Sequence, residues 1–146
     1  MTRNNLDNPF FLFLVLLMAV TINTIFSIHF LLIMFAGILF TAFYRCLRKR
    51  YLYSLAFVII AFLFIEVNTG LKPFTLSLLS LFLYIFILPK DENYSYDNLS
   101  SSYIYILIFY IGLLIIWSVV FELNETILIT IFVNILIDLI FFGVFL

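Results

Sequence analysis

Residues 8–44 read NPFFLFLVLLMAVTINTIFSIHFLLIMFAGILFTAFY, 37 consecutive positions without Asp, Glu, Lys or Arg. At ~1.5 Å per residue, one helix of that length would measure about 55 Å. The hydrocarbon core of a bilayer is ~30 Å thick, so the stretch is too long for one crossing and about right for two. The polar cluster Thr21, Asn23, Thr24, Ser27 and His29 falls where a hairpin would turn. The stretch therefore divides into expected spans 9–27 and 30–44.

Charge punctuates the remainder. The basic connector Arg45, Cys46, Leu47, Arg48, Lys49, Arg50 leads into an apolar run over 51–67. Asn68-Thr69-Gly70-Leu71-Lys72-Pro73 carries the Gly and Pro of a tight turn. A fourth run, 74–88, stops at Pro89, and the polar segment from Lys90 to Ser102 is the one long loop. Runs 103–121 and 126–146, joined through Glu122 and Glu125, complete six spans. The expected fold is an all-α integral membrane bundle of six transmembrane helices, a single domain over 1–146. Spans 30–44 and 74–88 are short, so their helices are expected to run into the flanking loops or to sit in locally thinned membrane.

Composition agrees. Of 146 residues, 66% are apolar and 10% charged, with a mean hydropathy of +1.29. Soluble domains sit nearer half apolar, and a small one has too much surface to hide the excess. A soluble enzyme, a disordered segment and a nucleic-acid-binding domain are excluded on this ground. The formal net charge of −1 names no partner. If both termini are cytoplasmic, Arg3, Arg45, Arg48, Lys49, Arg50 and Lys90 lie inside and only Lys72 outside, as the positive-inside rule prefers. Tyr44, Tyr51, Tyr53, Tyr94, Tyr96, Tyr103 and Tyr105 then fall near the inner interface. The first span is longer than a signal-peptide core and lacks a small-residue cleavage site, so it is expected to stay as an anchor.

The candidate functional residues are the polar ones inside these runs, because an ionisable group in lipid is costly. Asp138 lies twelve residues into the last span, with Asn134 one turn earlier on the same face. The pair either glues this helix to its neighbours or binds a partner helix, a substrate or a proton. Glu66 closes the third span; it fixes the following turn, lines an outward-facing cavity, or is an interfacial carboxylate. Asn23 is a hydrogen-bond partner available to either region. The cluster Arg45, Arg48, Lys49, Arg50 sets topology and meets anionic lipid, or docks a cytoplasmic partner. One histidine, His29, and one cysteine, Cys46, leave no HExxH motif, histidine cage or thiolate zinc site. No cofactor and no catalytic residue is expected.

Three stretches resemble the MreD family of rod-shape-determining proteins of the bacterial inner membrane. Residues 62–77, FLFIEVNTGLKPFTLS, are similar to that family's acidic residue near the end of the third helix, followed by a short glycine-containing turn. Arg45–Arg50 sits where the family has a cytoplasmic loop, and Thr130-Ile-Phe-Val-Asn134 resembles its polar position in the last helix. Glu66 stands where the family more usually has Asp, and Asp138 has no counterpart there. The resemblance implies a non-enzymatic scaffold or regulatory subunit of the machinery that builds the lateral cell wall. It implies as partners MreC, the glycosyltransferase RodA, a class B penicillin-binding protein and, from the cytoplasm, filaments of MreB. It also implies a fold similar to the S subunits of energy-coupling-factor transporters. The alternative function is accordingly capture of a vitamin-type small molecule. That role needs an outward pocket built from the Glu66, Asn68, Lys72, Asn23, His29, Glu122 and Asn124 side chains.

Overall fold

The computed structural model describes residues 8–28, 32–88, 99–120 and 124–145. Arg3, His29, Lys90, Tyr94, Tyr96 and Glu122 lie outside them. The described regular structure is entirely helical: α1 (Pro9–Ile28), α2 (Ala36–Arg48), α3 (Leu52–Thr69), α4 (Thr75–Phe82), α5 (Leu99–Val120) and α6 (Glu125–Phe145). A π-helical turn, Leu83–Ile87, prolongs α4. Four helices are long and apolar enough to cross a membrane: Pro9–Ser27, Leu52–Thr69, Ser101–Val120 and Glu125–Val144. These are continuous runs of good helix formers and β-branched residues without an internal proline.

The helices alternate in direction. Pro9 and Leu12 share a groove with Tyr51 and Leu52, which puts the start of α1 beside the start of α3. Tyr44 packs on Tyr84 and Tyr105, and Tyr103 on Phe142, so the ends of α2, α4 and α6 gather there with the start of α5. At the opposite end Asn68 of α3 meets Asn23 and Thr24 of α1. Both the first and the last helix thus have their outer termini at the end that carries Arg45–Arg50.

Helix α2 is the axis of the bundle. Every residue from Ala36 to Tyr44 is buried, and it packs against α3, α4, α5 and α6. Phe40 stacks on Phe109 at 4.9 Å between ring centres, and Phe62 joins from α3 at 6.3 Å from Phe109. Offset ring pairs of this kind add to the packing beyond the area they bury. Around this axis the outward surface is apolar as well: Phe10, Leu52, Phe86, Val119, Ile129 and Val144 are all well exposed.

Two boundaries differ from the sequence expectation. The second helix begins at Ala36, not at residue 30; at its other end it runs into the basic connector as far as Arg48, one of the two outcomes expected of so short a span. Arg45 and Arg48 in its last turn favour the negative end of the helix dipole, so the basic residues extend the helix. The fifth helix starts at Leu99, taking in the serines read as loop; Ser102 is buried against the bundle. The fourth stays short, its π turn closed by the bond from Leu88 N–H to the Leu83 carbonyl at 2.9 Å.

Candidate functional site

The polar residues of the bundle core act on two interrupted segments. Residues 32–35 are not helical, and Phe35, the residue before α2, holds the left-handed conformation at φ 51°. A non-helical stretch inside an apolar bundle leaves backbone N–H and C=O groups that must find partners. Three come from α1 and α6. Asn23 Nδ2 donates to the Ile33 carbonyl at 2.7 Å. Asn134 Nδ2 donates to the Leu32 carbonyl at 2.6 Å, while its Oδ1 accepts from Met34 N–H at 2.6 Å. One turn on, Asp138 Oδ2 accepts from Gly37 N–H at 2.8 Å, on the first turn of α2.

Asp138 is wholly buried, and the same Oδ2 also accepts from the Tyr110 hydroxyl at 2.7 Å. A carboxylate in the first turn of a helix is favoured by the positive end of its dipole and by the N–H groups that lack intrahelical partners. Its Oδ1 has no hydrogen-bond partner among the described residues. The approach requires glycine: a Cβ at Gly37 would stand 2.7 Å from Asp138 Oδ2, 2.8 Å from Ile106 and 2.9 Å from Tyr110.

Glu66 repeats the device on the fourth helix. Its helix ends at Gly70, whose φ of 75° is the left-handed cap that glycine adopts without strain. The chain turns through Lys72 and Pro73 to Phe74, left-handed at φ 68°, and α4 begins. Glu66 Oε2 accepts from Phe74 N–H and Oε1 from Leu76 N–H, each at 2.6 Å. Each of the two short helices therefore follows a left-handed phenylalanine, and each has its first turn met by a buried carboxylate from a long neighbour.

The network closes at one end of the bundle, where Asn68 Nδ2 donates to Asn23 Oδ1 at 2.8 Å and to Thr24 Oγ1 at 3.2 Å. Asn23, Glu66, Asn134 and Asp138 are thus placed along one connected set of elements, though Glu66 serves a different helix from the other three. Arg45, Arg48, Lys49 and Arg50 are at the far end, half-buried or exposed. Tyr110 and Gly37 escaped sequence reasoning. A single hydroxyl-bearing ring inside the run Ile106-Leu-Ile-Phe-Tyr110-Ile was the available signal for the first. Chemically the arrangement is a set of acceptors and amides directed at backbone. Among the described residues no three of His, Cys, Asp and Glu come together as a metal site would need. No family model, curated protein or solved structure matches the chain.

Proposed function

We propose that the chain is an integral membrane protein that crosses the bilayer six times with both termini in the cytoplasm. In this reading it serves as a non-enzymatic scaffold or regulatory subunit, of the kind the MreD resemblance implies for the cell-elongation complex of the bacterial inner membrane. Geometry supports the crossings. Helix α2 has 13 residues, about 20 Å at ~1.5 Å each. Residues 32–35 are not helical and can add at most about 13 Å at ~3.3 Å each, enough with the helix to reach across the ~30 Å core. Non-helical backbone at that depth is tolerated only when protein groups satisfy it. Asn23 and Asn134 do so for residues 32–34. The positive-inside rule then assigns the end bearing Arg45–Arg50 to the cytoplasm.

The observation that carries the scaffold reading is that Asn23, Glu66 and Asn134, together with one oxygen of Asp138, bond to the chain's own backbone. Their hydrogen bonds fix a rigid core, which leaves the apolar outer faces of the helices for lipid and for partner helices. The specific complex, with MreC, RodA, a class B penicillin-binding protein and MreB filaments, rests on the resemblance at 62–77 and 130–134. Small-molecule capture draws less support, since Asn23 and Glu66, two of the residues it would need, are already engaged. Depletion in a rod-shaped host should round the cells, and affinity purification from membranes should recover MreC or the elongation transpeptidase. Unchanged shape and wall synthesis after deletion would overturn the assignment.

A further inference from the structure

At the end of the bundle that carries the basic connector lies a groove of about 500 Å³. That is within the ~300–1,000 Å³ range of small-molecule sites. Its walls include Pro9 and Leu12 of α1, Cys46 of α2, and Tyr53 and Ser54 from the first turn of α3, with Arg50 from the connector between them. The connector is tightly tied. Tyr51 N–H bonds to the Cys46 carbonyl at 2.9 Å and Arg50 N–H to the Leu47 carbonyl at 3.3 Å, with Arg50 left-handed at φ 57°. Its exposed guanidinium has no hydrogen-bond or ion-pair partner among the described residues. Tyr51, Leu52 and Tyr53 flank the groove and are themselves exposed.

Apolar walls with one cation among them suit an amphiphile with an anionic head. The groove lies where the apolar surface gives way to the basic connector, and exposed aromatic rings at such a boundary mark the headgroup level of a bilayer. A guanidinium pairs with phosphate through two parallel bonds, a geometry that lysine lacks.

We propose that this groove binds one anionic phospholipid of the surrounding leaflet. Its phosphate pairs with Arg50 and the Ser54 hydroxyl, and an acyl chain lies along Pro9, Leu12 and Cys46. The inference rests on the membrane reading above. It adds to that reading a defined lipid site, distinct from the diffuse attraction of a basic loop for anionic headgroups.

The test uses the full chain, reconstituted in bilayer discs of mixed phosphatidylglycerol and phosphatidylcholine, released, and weighed intact with its retained lipid. One phosphatidylglycerol per chain should be retained in preference to phosphatidylcholine. Arg50→Ala should lower that retention about tenfold, the scale of one charged hydrogen bond. Arg50→Lys should fall between, and Lys72→Ala, at the opposite end of the bundle, should leave it unchanged. Equal retention of the two lipids, or an Arg50→Ala chain that keeps phosphatidylglycerol as the parent does, would overturn the proposal. So would complete displacement of the lipid by inorganic phosphate, which would assign the site to a free anion. Selective retention that arises only after removal of residues 1–7 would assign the groove to the amino-terminal segment and overturn it too. A chain recovered from the soluble fraction of cells would instead refute the membrane reading itself. Unchanged thermal unfolding of each variant, followed by Trp117 fluorescence, confirms that the fold is intact.

Discussion

Replacing Asp138 by alanine removes the acceptor of two hydrogen bonds at once and leaves Gly37 N–H and the Tyr110 hydroxyl buried without it. Each orphaned donor costs about 1–3 kcal/mol when nothing replaces its partner. Interhelical hydrogen bonds in membrane proteins have averaged only ~0.6 kcal/mol by double-mutant cycles, because the unfolded chain in lipid also finds partners. Two donors therefore bound the loss between about 1 and 6 kcal/mol, and the full burial of the site favours the middle of that range, about 2–4 kcal/mol. Asp138→Asn keeps the shape and one carbonyl acceptor, so it should cost less than about 2 kcal/mol. Tyr110→Phe removes one donor with its bond and should cost about 1 kcal/mol. Combined with Asp138→Ala it should cost less than the sum, with a coupling of about 1 kcal/mol, because the hydroxyl is no longer there to be orphaned. Trp117 is the chain's sole tryptophan and is buried on α5, so its fluorescence reports unfolding in detergent or bilayer discs directly. An alanine variant within about 0.5 kcal/mol of the parent would refute the reasoning, as would an asparagine variant less stable than the alanine.

Three further outcomes follow from the same geometry, each read by that unfolding assay. Glu66→Gln turns one of two acceptors into a donor facing a backbone N–H, so it should destabilise by about 1–3 kcal/mol despite its matched size; a neutral result contradicts the capping role. Asn134→Leu leaves both Met34 N–H and the Leu32 carbonyl without this partner and should cost about 2–4 kcal/mol, accompanied by faster amide exchange at Met34. Unaltered exchange there would contradict it. Gly37→Ala should destabilise by about 1–3 kcal/mol through overpacking against Asp138 and Tyr110. Gly70→Ala, with open space around it and only its positive φ to strain, should cost about 1–2 kcal/mol, and the reverse ranking would argue against the close approach at Gly37.

The long helices are legible because α1, α3, α5 and α6 coincide with strongly apolar runs, and their polar members stand out against that background. Asn23, Glu66, Asn134 and Asp138 are each such a polar residue in an apolar run. Their targets were not legible. Ile33-Met34-Phe35 contains neither Gly nor Pro nor a polar side chain, so nothing local announces that the helix waits until Ala36. The interruption is held by Asn134 and Asp138, about a hundred positions away in the chain, and a tertiary cause of that kind leaves no local pattern. Gly37 reads as an ordinary glycine until Asp138 is placed beside it. The turn at Glu66 was more accessible, because Gly70 and Pro73 mark it and the carboxylate lies close in sequence to the amides it meets. The π turn over Leu83–Ile87 has no signal in an unbroken apolar run.

The central claim, a six-crossing bundle whose second crossing joins a non-helical stretch to a short helix, is tested most directly by cysteine accessibility in intact membranes. Starting from Cys46→Ser, single cysteines placed at positions 3, 49, 72, 146 and along 33–40 would be probed with an impermeant thiol reagent from each face. The account predicts labelling of 3, 49 and 146 from the cytoplasmic face, labelling of 72 from the outer face, and protection of 33–40 from both. Rapid labelling of residues 36–40, or termini that react from opposite faces, would contradict it.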